Sequence, residues 1–303
     1  MQIYPGGNLM HLLDPIVQRV FWQQYNRIPA VTPLLYSMKT SSDWRERMFA
    51  VGSLGEIPEF NGTLEYDTFE GLWAKDVIHK RYAKGLEISN DIVEDDRFNI
   101  AIQKPQGLAT SAAYTREKQG AGLFNDAFTA TTTADGSYLC VATHPYSPTN
   151  TTTQSNLATG VLTHDNVVAA RLAMRSWVDD RGKKILINPD TLIVPPALEE
   201  AAWMIAGPKT EYIPGQSNYD LSIFANWNLR VVVWPFLTSS TAWFLADSNL
   251  MRDNLVWYDR VPLSLTPRPE RDFDTLALRW RLYGRWSYGT YGWRWIYGST
   301  GAG

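Results

Sequence analysis

The sequence predicts an α+β fold, and three stretches predict it. The first is Ile185–Gly207. The apolar runs Ile185-Leu186-Ile187 and Leu192-Ile193-Val194, split by a turn at Asn188-Pro189-Asp190, read as buried strand structure ending at Pro195-Pro196. Those prolines suit the first turn of a helix, where a missing N–H costs nothing. Leu198, Ala201, Ala202 and Ile205 then share one apolar stripe, and Glu199 and Glu200 sit at the positive end of the helix. Gly207 is expected to close it in the left-handed conformation, with Pro208 beyond. The second stretch is a long helical region reaching about Phe128. The third is the alternation of Leu276, Leu278, Trp280 and Leu282 with Arg279, Arg281 and Tyr283.

The chain has 303 residues, enough for about two domains. It is 45% hydrophobic, so it can bury a sizeable core. A net charge of −3 argues against a dedicated duplex-DNA binder. The single cysteine, Cys140, excludes intrachain disulfides and multi-cysteine zinc sites, and its setting in Tyr138-Leu139-Cys140-Val141 reads as a buried thiol. No apolar run reaches the roughly 18 residues that span a bilayer. No basic segment leads into an apolar core and cleavage site, so a cytosolic origin is expected.

In chain order, Met1–Asn8 is polar and reads as a loose arm. Asp14-Pro15 reads as a helix start, with Leu13, Val17, Val20 and Phe21 on one face to about Tyr25. Arg27–Met38, with Pro29 and Pro33, should be extended. So short a helix is marginal alone and needs its own domain or a neighbouring chain to lie on. Ser42–Gly55 is ambiguous between helix and strand, and Ile57–Gly62 is a turn.

Thr63–Asn90 reads as a long two-stranded hairpin carrying Trp73 and the charged cluster Lys75, His79, Lys80, Arg81 and Lys84. Such a hairpin cannot bury itself. It is either a solvated edge or an arm lying across a neighbouring subunit. Glu94-Asp95-Asp96 reads as acid at a helix start, with a metal site as the alternative. Pro105 and Gly107 place the regular helix from about Leu108, with Ala112, Ala113, Leu123, Phe124 and Ala127 as its apolar positions. Gly120-Ala121-Gly122 lacks the preceding strand and third glycine of a nucleotide loop and reads as close packing.

Ala134-Asp135-Gly136-Ser137 is a hairpin turn between Thr131–Thr133 and Tyr138–Ala142. Pro145–Asn156 is a loop at a subdomain boundary. Thr163 can cap a helix over Asp165–Trp177, with Val167, Ala170, Met174 and Trp177 on one face. Asp179–Gly182 is a turn. Leu229–Phe236 and Thr241–Ala246 read as strands. After a turn region at Gly284–Thr290, Tyr291, Trp293, Trp295 and Tyr297 alternate as the second strand of a terminal hairpin. From Leu276 to Gly303 the chain carries four arginines and no acid. Two readings stand for that tail: an amphipathic hairpin with one buried face, or a surface for single-stranded nucleic acid.

No catalytic constellation is present. His11, His79, His144 and His164 are scattered, with no HExxH, no GxSxG elbow and no GxxxxGK[ST] loop. The expectation is a protein that is not an enzyme, with no catalytic residue, no cofactor and no metal ligand.

The order of parts carries a resemblance. Ser41-Ser42-Asp43 through Phe60-Asn61-Gly62, Glu94-Asp95-Asp96, Ala134-Asp135-Gly136…His144-Pro145, Thr163–Met174 with Asn188-Pro189…Val194-Pro195-Pro196-Ala197-Leu198-Glu199, and Arg279-Trp280-Arg281…Gly292-Trp293-Arg294 together resemble the major capsid (major head) protein of tailed bacteriophages, most nearly the Mu-like major head subunit family. The resemblance implies the Hong Kong-type capsid fold. It would divide the chain into an N-terminal arm (1–40), a lead-in to the P-domain (41–55), an E-loop (56–90), the P-domain spine helix and hairpin (91–154), an A-domain with a mixed sheet and flanking helices (155–262) and P-domain C-terminal strands (263–303).

It implies a virion protein, assembled in the host cytoplasm, whose hexamers and pentamers tile an icosahedral shell around double-stranded DNA held without sequence specificity. Portal, scaffold and cement proteins would be its other partners, and no membrane is involved. Numbering from Met1 with a short arm points to a separate scaffold protein. Trp73, Lys75, His79, Lys80 and Arg81 are expected to contact the next subunit. Arg279, Arg281, Arg285 and Arg294 are expected to brace strands or face DNA. An encapsulin-like compartment of the same fold is the alternative, followed by a single-stranded nucleic-acid binder using the arginine–aromatic tail.

Overall fold

Helix α1 (Gly6–Arg27) opens the chain and buries Val17 and Phe21 against its own chain. The computed structural model describes residues 6–62, 64, 66–68, 70–95, 100–207, 227–268 and 277–303. Asp14 and Pro15 do not start α1 but lie inside it. The Asp14 carboxylate instead accepts the indole N–H of Trp280 at 3.0 Å and a Gln18 amide N–H, so tertiary contacts have overridden a local cap signal. The expected loose arm is therefore helical from Gly6; residues 1–5 of it lie outside the described residues. The stretch expected to be extended contains one helical turn, α2 (Thr32–Leu35), before β1 (Ser37–Thr40).

The arm-forming strands are β2 (Arg45–Val51) and β3 (Gly71–Ile78), paired antiparallel from Arg45↔Ile78 to Val51↔Gly71. The chain then passes through His79 into β4 (Lys80–Ser89). The expected hairpin over residues 63–90 does not form. β3 pairs with β2, while β4 turns its buried Leu86 and Ile88 into a different sheet. His79 fixes the changeover: it is 4% exposed, and its two ring nitrogens are 2.9 Å from Ser41 Oγ and 2.9 Å from Ser287 Oγ.

A short α3 (Asn90–Glu94) precedes α4 (Ile100–Asn125), the 26-residue helix along the middle of the molecule. Glu94 and Asp95 end α3 rather than opening the long helix, and Asp96 lies outside the described residues. α4 starts ahead of Pro105, which sits in its second turn. The close-packing reading of Gly120-Ala121-Gly122 holds for Gly120, where a Cβ would run into the Thr32 side chain, but not for Gly122, where a Cβ would meet open space. Thr132↔Tyr138 is a single bridge around a turn at Gly136, whose φ is 83°. β5 (His144–Pro145) and β6 (Thr153–Gln154) pair across the expected loop.

Next come β7 (Leu157–Ala158) and α5 (His164–Ser176), capped by Thr163 Oγ1 accepting the Asn166 N–H, with Val167, Ala170 and Met174 buried as predicted. β8 (Thr191–Val194) is fully buried and leads through a 3-10 turn into α6 (Glu199–Ala206). Ile185–Ile187 is not a strand, and Leu186 is 98% exposed. Side chains take over there: Arg171 donates to Pro189 O and Asn188 Oδ1, and Asp247 accepts the Asn188 N–H at 2.7 Å. Gly207 is extended (φ −68°), not left-handed. A Cβ there would lie 2.8 Å from Trp203 O, so close approach accounts for the glycine. Pro208 is outside the described residues.

The remaining elements are β9 (Arg230–Val233), β10 (Trp243–Ala246), α7 (Ser248–Asn254), β11 (Leu255–Pro267), β12 (Ala277–Thr290) and β13 (Ile296–Ser299). Two main sheets result, of order β1-β11-β12-β4 and β7-β13-β10-β8-β9, with both parallel and antiparallel pairs. The fold is α+β, as predicted. The expected turn at Gly284–Thr290 is strand, and the terminal hairpin does not form, because β13 crosses to pair with β10 in the other sheet. Gly284 is there for packing: a Cβ would meet the Trp286 ring at 2.5 Å. Leu276 lies outside the described residues. The core is aromatic, with Trp234, Trp243, Trp257, Trp280 and Trp295 among its largest fully buried side chains.

Candidate assembly surface

The β2–β3 ribbon is anchored at its base and crowded with exposed apolar groups. Lys75 and His79 bond their own chain through their side chains, and Trp73 is half-buried on the same side of β3. The Trp73 carbonyl accepts the Tyr291 hydroxyl at 2.7 Å. Lys75 Nζ donates to Thr132 O and, at 3.1 Å, to Thr290 O, and burial pushes its ammonium down to about 8. Burial also lowers His79, with Arg285 adding to the effect. Lys80 and Arg81 are exposed on β4, in a different sheet. The five residues expected to touch a neighbour therefore divide: Lys75 and His79 bond their own chain, Trp73 is half-buried near the outer end of the paired strands, and Lys80 and Arg81 stay open.

The outer part of the ribbon carries what the sequence reading passed over. Phe49, Ile57, Phe60, Leu64 and Tyr66 are exposed, Ile57 at 99%. A run of this density is unusual on a surface meant for water alone. Polar contacts hold its outer end to the turn at 179–183. Arg181 meets Asp67 at 2.8 and 3.0 Å and donates to Thr68 O at 3.0 Å. Asp180 accepts the Ser53 N–H and hydroxyl, and Lys183 Nζ donates to Leu54 O at 2.7 Å. The Gly55 N–H and then Arg181 hold the Asp67 carboxyl below its ordinary range. The turn itself was legible in the sequence; its partners, more than a hundred residues away, left no local signal.

The four arginines also divide. Arg279 stands opposite Glu87 in register and pairs with it at 2.7 Å, bracing β12 to β4. Arg281 is exposed over the Tyr283 ring, and Arg285 reaches Trp44 O at 3.5 Å. Arg294 is far from that face; it donates to Val178 O and Tyr146 O and lies 4.9 Å from the Trp293 ring. Sequence reasoning also missed Glu117 on α4, buried and accepting from Val31 N, Thr32 N and Trp234 Nε1. It missed the buried Asp135–His144 pair as well, at 2.8 Å, with the imidazole stacked on Trp293. Among the described residues no three His, Cys, Asp or Glu gather as a metal-binding group, and no helix is long and apolar enough to cross a membrane.

A family model described as phage capsid protein matches residues 75–299. The fold is shared with a chain of the bacteriophage JBD30 procapsid (TM-score 0.56, 14% identity, covering 98% of this chain and 76% of that one). It is also shared with the JBD30 capsid (0.54, 13%, 70% and 92%) and with the holo-SrpI encapsulin complex of Synechococcus elongatus PCC 7942 (0.53, 11%, 90% and 87%). No curated protein matches.

Proposed function

The chain belongs to the phage capsid protein family, and from that premise we propose that it is the major head subunit of a tailed phage, of the Mu-like type. It is a shell-forming protein. Its hexamers and pentamers would close an icosahedral shell around double-stranded DNA, with portal, scaffold and cement proteins as further partners, in virions assembled in the host cytoplasm. The role is structural, with no catalysis and no cofactor. The net charge of −3 suits a lumen that holds DNA without gripping it.

One observation carries the reading: a ribbon that buries its root and leaves Phe49, Ile57, Phe60, Leu64 and Tyr66 in water. Two strands alone are barely stable, so such an arm needs a neighbouring copy to cover it. In the proposed division the E-loop is this β2–β3 ribbon with its tip, 45–78, instead of 56–90. The helix α1, which packs on its own chain, takes the place of a free N-arm. Electron microscopy of the purified protein tests the reading. Closed shells or capsomer rings are expected; a monodisperse monomer, alone and with the neighbouring gene products, would overturn it.

The fold shared with an encapsulin complex supports a second reading, a compartment that loads proteins instead of DNA. Co-purification of shells with a discrete enzyme, and without nucleic acid, would favour it.

A further inference from the structure

The open face of the β4–β12 pair holds like charges directly opposite one another. In register, Arg81 faces Arg285, Ala83 faces Tyr283, Gly85 faces Arg281 and Glu87 faces Arg279. Arg81, Ala83, Gly85 and Glu87 are all exposed, while Leu86 and Ile88 are buried on the other side and Lys84 reaches Ser111 on α4. Like charges across antiparallel strands are destabilising. Glu87 answers Arg279 alone. Arg81 and Arg281 have no carboxylate in salt-bridge range among the described residues, and Arg285 Nε is buried without a hydrogen-bond partner. Trp44, 59% exposed, borders the face through its carbonyl contact with Arg285.

The arm tip is the chemical complement. Residues 52–70 hold Glu56, Glu59, Glu65, Asp67 and Glu70 and no Lys or Arg. Glu56-Ile57-Pro58-Glu59-Phe60 is exposed throughout. The tip cannot serve its own chain's arginines. Seven residues of β2 carry it roughly 20 Å from the arm's root, and Asp180, Arg181 and Lys183 hold it at that outer end. Resting on the reading of the arm as an intersubunit element, we propose that the Glu56–Phe60 tip of one copy docks on the Arg81–Arg281–Arg285 face of the next. Glu56 and Glu59 meet the arginines, and Ile57 and Phe60 lie against Tyr283 and Trp44. The contact is head-to-tail, so it repeats around a ring until the ring closes. DNA fits the face less well: three arginines with Glu87 among them fall short of the roughly 6–10 phosphate contacts of a firm duplex binder.

Charge reversal in the full-length chain tests this. Arg81→Glu with Arg281→Glu, and separately Glu56→Arg with Glu59→Arg, should each lower the yield of shells or rings at least about tenfold. All four changes together should restore it to within about threefold. Should the glutamates unfold the sheet, Arg81→Gln with Arg281→Gln is the milder form; it should lower the yield and flatten its salt dependence. Loss from the tip reversal but none from the face reversal would place the tip elsewhere, overturning this inference and leaving the arm reading intact. Normal shells from the face variant that no longer retain a DNA fragment would assign the face to DNA. Full yield from the tip reversal and also from a chain lacking 56–66 would overturn the arm reading itself.

Discussion

Asp67 and Arg181, 114 residues apart, meet as a two-pronged ion pair that ties the arm tip to the 179–183 turn. Arg181→Gln is expected to free the tip while leaving the core alone. Amide hydrogen exchange at Ser53 and Gly55 should quicken, with the melting temperature unchanged, since the pair is exposed.

The same pair sets an acid limit on the tip. The folded Asp67 carboxyl titrates below its ordinary value, chiefly through the Gly55 N–H and then Arg181. Its contribution is therefore present above the unfolded aspartate range and is lost as pH falls through the lowered folded value. The protection of the Gly55 amide, the intrinsic exchange rate at each pH over the observed one, should fall only at that acidic end, and Asp67→Asn should show the low protection at every pH.

Lys75 gives a signature at the opposite end of the scale. Its folded value of about 8 lies below the unfolded lysine range, so the unfolded chain binds more protons between the two. Stability should rise as pH climbs from about 8 to about 10.4, by up to about 3 kcal/mol. Denaturant unfolding across that window measures it, and Lys75→Met should flatten the slope.

Glu117 secures α2 to α4 with three donors on one buried carboxylate. Glu117→Gln puts an N–H₂ where an acceptor is needed and should cost roughly 2–4 kcal/mol in denaturant unfolding.

Gly298 permits β13 to pass Cys140. A Cβ at 298 would stand 2.6 Å from Cys140 Sγ and 3.1 Å from both Phe128 and Phe244. Gly298→Ala should cost about 1–3 kcal/mol by overpacking. Burial raises the Cys140 thiol well above its usual value. A maleimide should therefore label wild-type protein only on unfolding, and the variant sooner.

What the sequence showed clearly was local. The Thr163 cap, the Val167–Ala170–Met174 face and the strand-to-helix passage through Pro195-Pro196 each depend on residues within a turn or two of one another. Strand partners do not. β3 and β4 are consecutive and strand-like, yet buried His79 splits them between sheets, and nothing near residue 79 announces Ser41 or Ser287. Glycines misled for a related reason: Gly207 and Gly284 look like chain breakers but are there because Trp203 O and the Trp286 ring come close. Pro15 and Pro105 read as helix boundaries, while contacts from α1 and α4 to the rest of the chain keep both inside helices. At the assembly surface, residue types were visible and facing was not. Lys75 and Lys80 are alike in sequence, and only the fold turns one inward.

The arm as the tie between copies is the centre of the account, and sedimentation velocity of a chain in which Gly-Ser-Gly replaces residues 56–66 tests it most directly. The account predicts a folded protein that stays at monomer or small-oligomer size under conditions where the intact chain forms shells. Shells of normal size and yield from the shortened chain would contradict it.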